Sequence, residues 1–407
     1  ERSATAKPAA ALESIERTHA ASKSSTTSPR VDARPDRAFD HHVTRVALDP
    51  QSARPSICGD AFAGLQLADA GPGRALAQLW LGAAADAPLV YLDTETTGLG
   101  RGGAALAFLV GVAVHEPAAI RVEQWTLRRM TGERALLEHM HARLESLLGR
   151  DGVLVSYNGK TFDVPLLKLR LRRHGLDARA LSGVHLDLLH PSRRLWRDHL
   201  PDCRLATIER RELGVRRHGD LSGHDIPEVF WQWLRTPCAA AAAASLERVR
   251  AHNAADLVSL TLLARRITER IEAPTECSTA LRVARLHESR GRLQAAAAAL
   301  EPFTDEVTAS RPGAAHAQHA ALSLAAELSR RLGDLERAGT LWERACRLLP
   351  GDPRAHEALA KDLEHRRRDL RQALWVALAS RDPCPRRIAR IARKLGRPAA
   401  EVLASLR

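Results

Sequence analysis

The chain has 407 residues, 45% of them hydrophobic, and a formal net charge of +13. This length allows two or three domains, and the apolar fraction is ordinary for a globular protein. No run approaches the roughly 18 consecutive apolar residues that a membrane helix needs, and the N-terminus lacks the basic-then-apolar pattern of an export signal. We therefore expect no membrane partner. The positive charge favours a polyanionic partner, although solvated helix faces would account equally well for the basic stretch 168–217.

Six cysteines lie far apart in the sequence and form no CxxC pair. This spacing indicates neither a zinc site nor a disulfide framework. A reducing compartment fits such usage, so the sequence predicts a cytoplasmic location.

The N-terminal 42 residues are rich in Ala, Ser, Thr, Pro and charged residues. Such a segment cannot bury enough apolar surface to order itself, and we expect it to be disordered. Residues 43–87 form an extension of uncertain structure, with a possible strand at 43–49 and a possible short helix at 75–82.

Residues 88–272 show the alternation of strands and helices that is typical of a mixed α/β domain. Short apolar or alternating runs indicate the strands, and helical spacing of apolar residues indicates the helices. The predicted elements, in chain order, are strands at 89–93, 107–114 and 120–127, a helix at 131–148, a strand at 153–158, a helix from about 162, a strand or strand-to-helix corner at 185–190, and helices near 204–213, 226–235 and 245–271.

Beyond Pro274 the sequence predicts only helices. Similar turn-then-helix phrases begin at residues 291, 333 and 368, and the last two are 35 residues apart, close to the ~34-residue period of tetratricopeptide repeats. We expect residues 275–407 to form two or three irregular repeats, with a plain helical bundle as the alternative. Stacked repeats commonly present a concave surface to a peptide, so a protein partner is one expectation; packing of this region on the α/β domain is the other.

Two carboxylates end the first apolar run of the α/β domain. Asp93 and Glu95 are two residues apart on a strand, so their side chains point to the same face. Side by side they repel unless a cation lies between them, and oxygen ligands of this kind suit Mg²⁺ or Mn²⁺. Asp187, an acid in an apolar context further along the chain, could support such a site or cap a helix.

Three more candidates follow in sequence. Asp163 begins a helix after a loop that contains Asn158 and Lys160; the loop residues could contact a phosphate or only shape the turn, and Asp163 could be an ordinary cap. His252 and Asp256 are four residues apart on a helix and share a face. A histidine one turn from a carboxylate is a candidate general base.

Four phrases carry a resemblance to a known family. DTETTGL (93–99), SYNGKTFDVPLL (156–167), HLDLLHPSRRLW (185–196) and HNAADLVSL (252–260) resemble the YprB-type ribonuclease-H-like family of the DEDD exonuclease superfamily. The resemblance covers about residues 88–270, and the helical C-terminal region is consistent with it. It implies an α/β, ribonuclease-H-like fold, a mixed β-sheet flanked by helices, followed by an all-α helical-repeat domain.

The resemblance also implies a role for each matching residue. The acids Asp93, Glu95, Asp163 and Asp256 would hold two Mg²⁺ or Mn²⁺ ions, and His252 would deprotonate the attacking water. In histidine-type members the base lies five residues before the last acid, whereas here the gap is four, as in the tyrosine-type branch. This departure leaves the metal site untouched and the role of His252 open.

Substrate contacts are implied in the same way. Thr96, Thr97 and Leu99 match positions that line the terminal nucleotide pocket in related nucleases, and Asn158 and Lys160 are further candidates for binding. The implied reaction is the removal of nucleotides from the 3′ ends of single-stranded DNA or RNA. Two alternatives are a non-catalytic nucleic-acid-binding scaffold whose repeats recruit a protein, and a structure-specific endonuclease. The complete set of acids favours an enzyme over a scaffold.

Overall fold

The computed structural model describes most of the chain from residue 38 onward, namely residues 38–47, 62, 73–84, 86–98, 105–117, 119–237, 239–304 and 314–398. Residues 1–42 are predicted to be disordered, and residues 1–37 of this segment lie outside the described residues. Residues 39–42 belong to the first strand of the sheet, which begins at Phe39, where Phe39 pairs with Leu127.

Six strands of the described residues form one mixed sheet. They are β1 (Phe39–Ala47), β2 (Leu89–Thr96), β3 (Ala107–Glu116), β4 (Ala119–Leu127), β5 (Val153–Ser156) and β6 (Val184–Asp187), in the spatial order β1-β4-β3-β2-β5-β6. The strands β1, β4, β3 and β2 are antiparallel neighbours, whereas β2, β5 and β6 run parallel. The carboxyl ends of the three parallel strands therefore meet at one edge of the sheet, where open α/β sheets bind their ligands.

Helices cover both faces of this sheet, as the family resemblance implies. They are α1 (Arg74–Leu81), α2 (Glu133–Leu148), α3 (Asp163–Arg173), α4 (Leu189–Trp196), α5 (Leu205–Ile208), α6 (Ile226–Arg235) and α7 (Ala240–Glu272). Successive residues of β2 alternate between two cores: Tyr91 packs in the core that contains α7, and Val90 and Leu92 pack in the core that contains α2 and α3. This alternation is the period of a strand buried on both faces.

Two elements differ from their predicted form. The strand predicted at 153–158 ends at Ser156, because Asn158 adopts a left-handed backbone conformation with φ of 65°. The helix predicted near 204–213 consists of the short α5 followed by a π-helical turn over Glu209–Leu213. Turns of this kind often occur at functional sites.

Beyond Pro274, every regular element among the described residues is helical. The helices are α8 (Cys277–Ser289), α9 (Leu293–Leu300), α10 (Ala314–Arg331), α11 (Leu335–Leu348), α12 (Pro353–Asp362), α13 (Leu370–Leu378) and α14 (Pro385–Lys394). Asp334, Asp352 and Asp369 cap α11, α12 and α13 by accepting a backbone N–H three residues ahead, which fixes where each helix begins. The tetratricopeptide assignment and a peptide partner remain predictions.

The first helix of this region packs directly on the α/β part of the protein. Val283 and Leu286 of α8 belong to the same core as α7. Arg282 donates to the backbone oxygen of Leu195 at 2.6 Å and pairs with Asp198 at 2.7 Å. The described residues from 38 onward accordingly form one compact unit, and none of its described helices is long and apolar enough to span a membrane.

Candidate active site

Asp93 lies on β2 where the strand passes from the core to the sheet edge. Its Oδ2 accepts a hydrogen bond of 2.8 Å from Asn253 Nδ2 of α7, and Asn253 Oδ1 in turn accepts one of 2.8 Å from Gln124 Nε2. The close approach requires Gly111 on the neighbouring strand, because an added Cβ there would lie 2.1 Å from Asn253 Oδ1. The side-chain amide of Asn253, which is itself hydrogen-bonded to Gln124, therefore fixes the orientation of the Asp93 carboxylate.

Asp163 is the first residue of α3, so it reaches the same edge from the loop that follows β5. Its Oδ1 accepts a hydrogen bond from the hydroxyl of Thr94 on β2. Gly159 keeps the loop close to the carboxylate, since a Cβ at this position would lie 3.1 Å from Asp163 Oδ2. Asp163 therefore faces β2 and does not act as a simple helix cap.

Asp187 anchors the loop that delivers Asp163. This carboxylate at the end of β6 is only 2% exposed, and it accepts the backbone N–H groups of Asn158 at 2.7 Å, Lys160 at 3.1 Å and Leu189 at 3.0 Å. Three backbone donors satisfy a buried carboxylate without a cation. Asp187 thus supports the loop that delivers Asp163 and also accepts the N–H of Leu189, the first residue of the helix that follows β6, so the structure gives it both roles that the sequence leaves open.

His252 and Asp256 lie on one face of α7, with His252 Nε2 3.9 Å from Asp256 Oδ2. Two residues that the sequence analysis does not identify complete their surroundings. Arg217 Nη2 lies 2.6 Å from Asp256 Oδ1, and both oxygens of Asp220 lie 2.9 Å from His252 Nδ1. Both residues belong to a loop whose glycines and mixed charges give no signal beyond a turn.

The acids gather in surroundings that penalise negative charge. Burial and the neighbouring charges of Asp256, Glu95 and Asp163 hold the pKa of Asp93 well above its ordinary range. Burial also raises the pKa of Glu95 to about 8, against the opposing charge of His252, and raises that of Asp163 to about 6. Carboxylates raise one another's pKa in this way when they lie close together and nearby positive charge compensates them only in part.

The histidine responds to the same charges in the opposite sense. Burial alone would lower the pKa of His252, but the hydrogen bond to Asp220 and the charges of Asp256 and Glu95 raise it to about 9. Without a bound cation the ring is therefore protonated at neutral pH and balances part of the negative charge.

The donor set suits a hard divalent cation, because it consists of carboxylate oxygens in partly dehydrated surroundings. One oxygen of each carboxylate already has a partner. Asn253 donates to Asp93, Thr94 donates to Asp163, and Arg217 pairs with Asp256. 

Within the part of the chain that the structure describes, no three His, Cys, Asp or Glu side chains are already arranged around a single ion position. Metal binding by these acids is therefore a proposal that rests on their chemistry.

The predicted nucleotide-binding residues lie at the end of β2. Thr97 forms two hydrogen bonds with the backbone of Leu106, one through its own N–H at 3.0 Å and one accepted by its hydroxyl at 3.2 Å. The Thr96 hydroxyl contacts the carbonyl of Gly98 at 3.4 Å, and Leu99 lies outside the described residues. The two threonines thus shape the strand end beside the acids, and their contact with a nucleotide remains a prediction.

Comparison with known proteins gives a consistent picture. A family model described as RNase_H superfamily matches residues 90–268. The chain is 33% identical over 297 residues to the uncharacterized protein YprB of Bacillus subtilis (strain 168). The aligned region covers 71% of this chain and 68% of that protein. Among solved structures, the family B DNA polymerase of the hyperthermophilic archaeon Pyrobaculum calidifontis matches with a TM-score of 0.37 and 15% identity, over 61% of this chain and 29% of that one. A structural likeness at this level carries no argument about activity.

Proposed function

Because the chain belongs to the YprB-type family of the ribonuclease H superfamily, we propose that it is a metal-dependent 3′–5′ exonuclease that hydrolyses phosphodiester bonds of single-stranded nucleic acid. The observation that carries this proposal is the convergence of four acids at the edge where the parallel strands end. Thr94, between Asp93 and Glu95 on β2, donates to Asp163, and Asn253 of the helix that carries Asp256 donates to Asp93. Arg217 and protonated His252 compensate part of the negative charge of this cluster. The remaining charge is costly to bury unless a further cation compensates it, so the cluster points to metal chemistry.

The proposed mechanism assigns the acids to metal binding and the histidine to proton transfer. Two divalent cations bound by the four acids would stabilise the attacking and the leaving oxygen of the phosphate. Asp93 and Asp163 are held in place by Asn253 and Thr94, so little reorganisation accompanies binding. His252 would accept the proton of the attacking water through Nε2, the ring nitrogen that faces Asp256.

Exposed basic side chains at the same edge would bind the phosphate backbone. Lys160 lies in the loop before Asp163, and Arg193 and Arg194 lie on α4, which begins directly after β6. Contacts of this kind position a strand without reading its sequence. The proposal therefore covers DNA and RNA alike.

The test uses one oligonucleotide sequence, as DNA and as RNA, labelled at the 3′ end, labelled at the 5′ end, or closed into a circle. With Mg²⁺ or Mn²⁺, the wild-type protein should release 3′ label first as mononucleotides and leave the circle intact. Asp93→Ala should abolish the activity, and Glu116→Gln, a change in a partly exposed glutamate that pairs with Arg45 and Arg121 at the far end of β3, should not. Cutting of the circle would indicate an endonuclease, and binding without degradation under any condition would indicate a scaffold.

A further inference from the structure

A loop that follows the π-helical turn is fastened across α7 beside the acids. Residues 214–225 connect that turn to α6, and Val215 at their start is buried. Arg217 forms ion pairs with Glu209 of the turn and with Asp256 of α7. The loop is therefore tied both to its own base and to the helix that carries the last acid, so it can hold a side chain in a defined place.

Asp220 is the side chain that this loop places against His252. Both of its carboxylate oxygens lie 2.9 Å from His252 Nδ1, although the two residues are 32 positions apart in the chain. Its orientation is fixed by Arg217 Nη1 at 3.2 Å and by the backbone N–H of Leu221 at 2.8 Å. The aspartate side chain keeps a quarter of its surface exposed, and that of His252 keeps 15%.

The direction of this hydrogen bond follows from chemistry. An ionised carboxylate can only accept, and the hydrogen bond from His252 holds the pKa of Asp220 at about 2 although burial opposes this. His252 Nδ1 must therefore carry the proton. The other nitrogen, Nε2, is then the one turned toward Asp256, 3.9 Å away. A hydrogen bond made by one ring nitrogen commonly determines whether the other nitrogen carries a proton.

We propose that Asp220 is a positioning residue that holds His252 by Nδ1 and turns Nε2 toward the acid cluster, an inference that rests on the proposed nuclease function. It also accounts for the four-residue spacing between His252 and Asp256. One position along a helix changes the side-chain direction by about 100°, so helix register alone would not aim the ring at the right place. Here a group from outside the helix sets the orientation of the ring.

A double-mutant cycle separates positioning from general structural support. Asp220→Ala should lower kcat by about 10- to 100-fold, with KM and the affinity for Mn²⁺ changed less than about twofold. In the His252→Ala background the same change should have no further effect on kcat, because a residue that acts through His252 loses its role once the ring is gone. Asp225→Ala is the matched control, since Asp225 faces its own histidine, His224, at 3.5 Å in the same loop but both are exposed.

An equal loss of kcat from Asp220→Ala in both backgrounds would overturn the proposal, because the aspartate would then act on the fold and not on the ring. A change confined to KM would also overturn it, because it would place Asp220 in substrate binding.

A second measurement does not depend on activity. In ¹⁵N-labelled protein, His252 can be assigned by the signals lost in His252→Gln. Its Nδ1 should carry a proton that exchanges slowly with water, and exchange should accelerate at least tenfold in Asp220→Ala but not in Asp225→Ala. At pH 10, where the ring is neutral, a proton on Nε2 and none on Nδ1 would overturn the proposal. If this result is obtained while no oligonucleotide is degraded, the proposed nuclease function fails and the placement of the ring stands.

Discussion

Replacement of Glu95 by glutamine should stabilise the metal-free protein at alkaline pH. Burial and neighbouring acids raise the folded-state pKa of Glu95 from 4.5 to about 8. Between these two values the folded protein holds a proton that the unfolded chain has lost, so stability falls as the pH rises from about 4.5 to about 8. The neutral amide has no such dependence.

The size of the effect follows from the shift. Each pKa unit corresponds to about 1.4 kcal/mol, so the shift costs about 4 kcal/mol at pH 8 and about 1 kcal/mol at pH 5. The measured gain should be smaller, about 2 kcal/mol at pH 8, because the amide group that replaces the carboxyl group must itself be desolvated.

Urea unfolding midpoints in EDTA at pH 5 and pH 8 measure this gain. Glu123, a buried glutamate on β4, provides the control of opposite sign. Burial opposes its ionisation, but His41, Arg143 and Arg121 lower its pKa to about 2, so Glu123→Gln should destabilise the protein above about pH 4.5. A Glu95→Gln protein that is no more stable than the wild type at pH 8 would refute the view that the acids at the sheet edge share one poorly compensated site.

Three other substitutions or additions test the surroundings of the site. Gly111→Ala should lower the free energy of unfolding, measured by the urea midpoint, by about 1–3 kcal/mol, because its Cβ would lie 2.1 Å from Asn253 Oδ1. The same substitution should weaken Mn²⁺ binding measured by electron paramagnetic resonance. Gly183→Ala should change neither, because its Cβ would meet no described atom within 4 Å. Asp187→Asn should lower the unfolding free energy by about 1–3 kcal/mol, since three backbone N–H groups lose a charged acceptor, and an unchanged midpoint would argue against its anchoring role. Saturating Mg²⁺ should lower the NMR-measured pKa of His252 from about 9, because neutralised carboxylates no longer stabilise the imidazolium, and a pKa that stays the same would place the metal elsewhere.

Local sequence patterns predict much of the fold and the candidate site. The apolar run that ends in Asp93 and Glu95 is a buried strand, and the helical spacing around His252 and Asp256 belongs to one long helix. These features are set by residues within a few positions of each other, so a pattern of period two or 3.6 is sufficient to detect them.

The support of each side chain could not be predicted in the same way. Asp163 has the sequence context of a helix cap, and only its hydrogen bond with Thr94, 69 positions away, shows that it faces the strand with the other acids. Asp187 is an isolated acid in the sequence, and its role depends on a loop 27–29 positions earlier.

The sequence by itself determined which acids and which histidine the protein possesses, and on which strand or helix each one lies. The tertiary structure alone decided what holds them: Asn253 on Asp93, Arg217 on Asp256 and Asp220 on His252. The physical reason is the distance along the chain. Each partner except Asn253 comes from a loop with no periodic pattern, and each contact depends on how the loop or helix packs against the sheet, which no local preference of the sequence records.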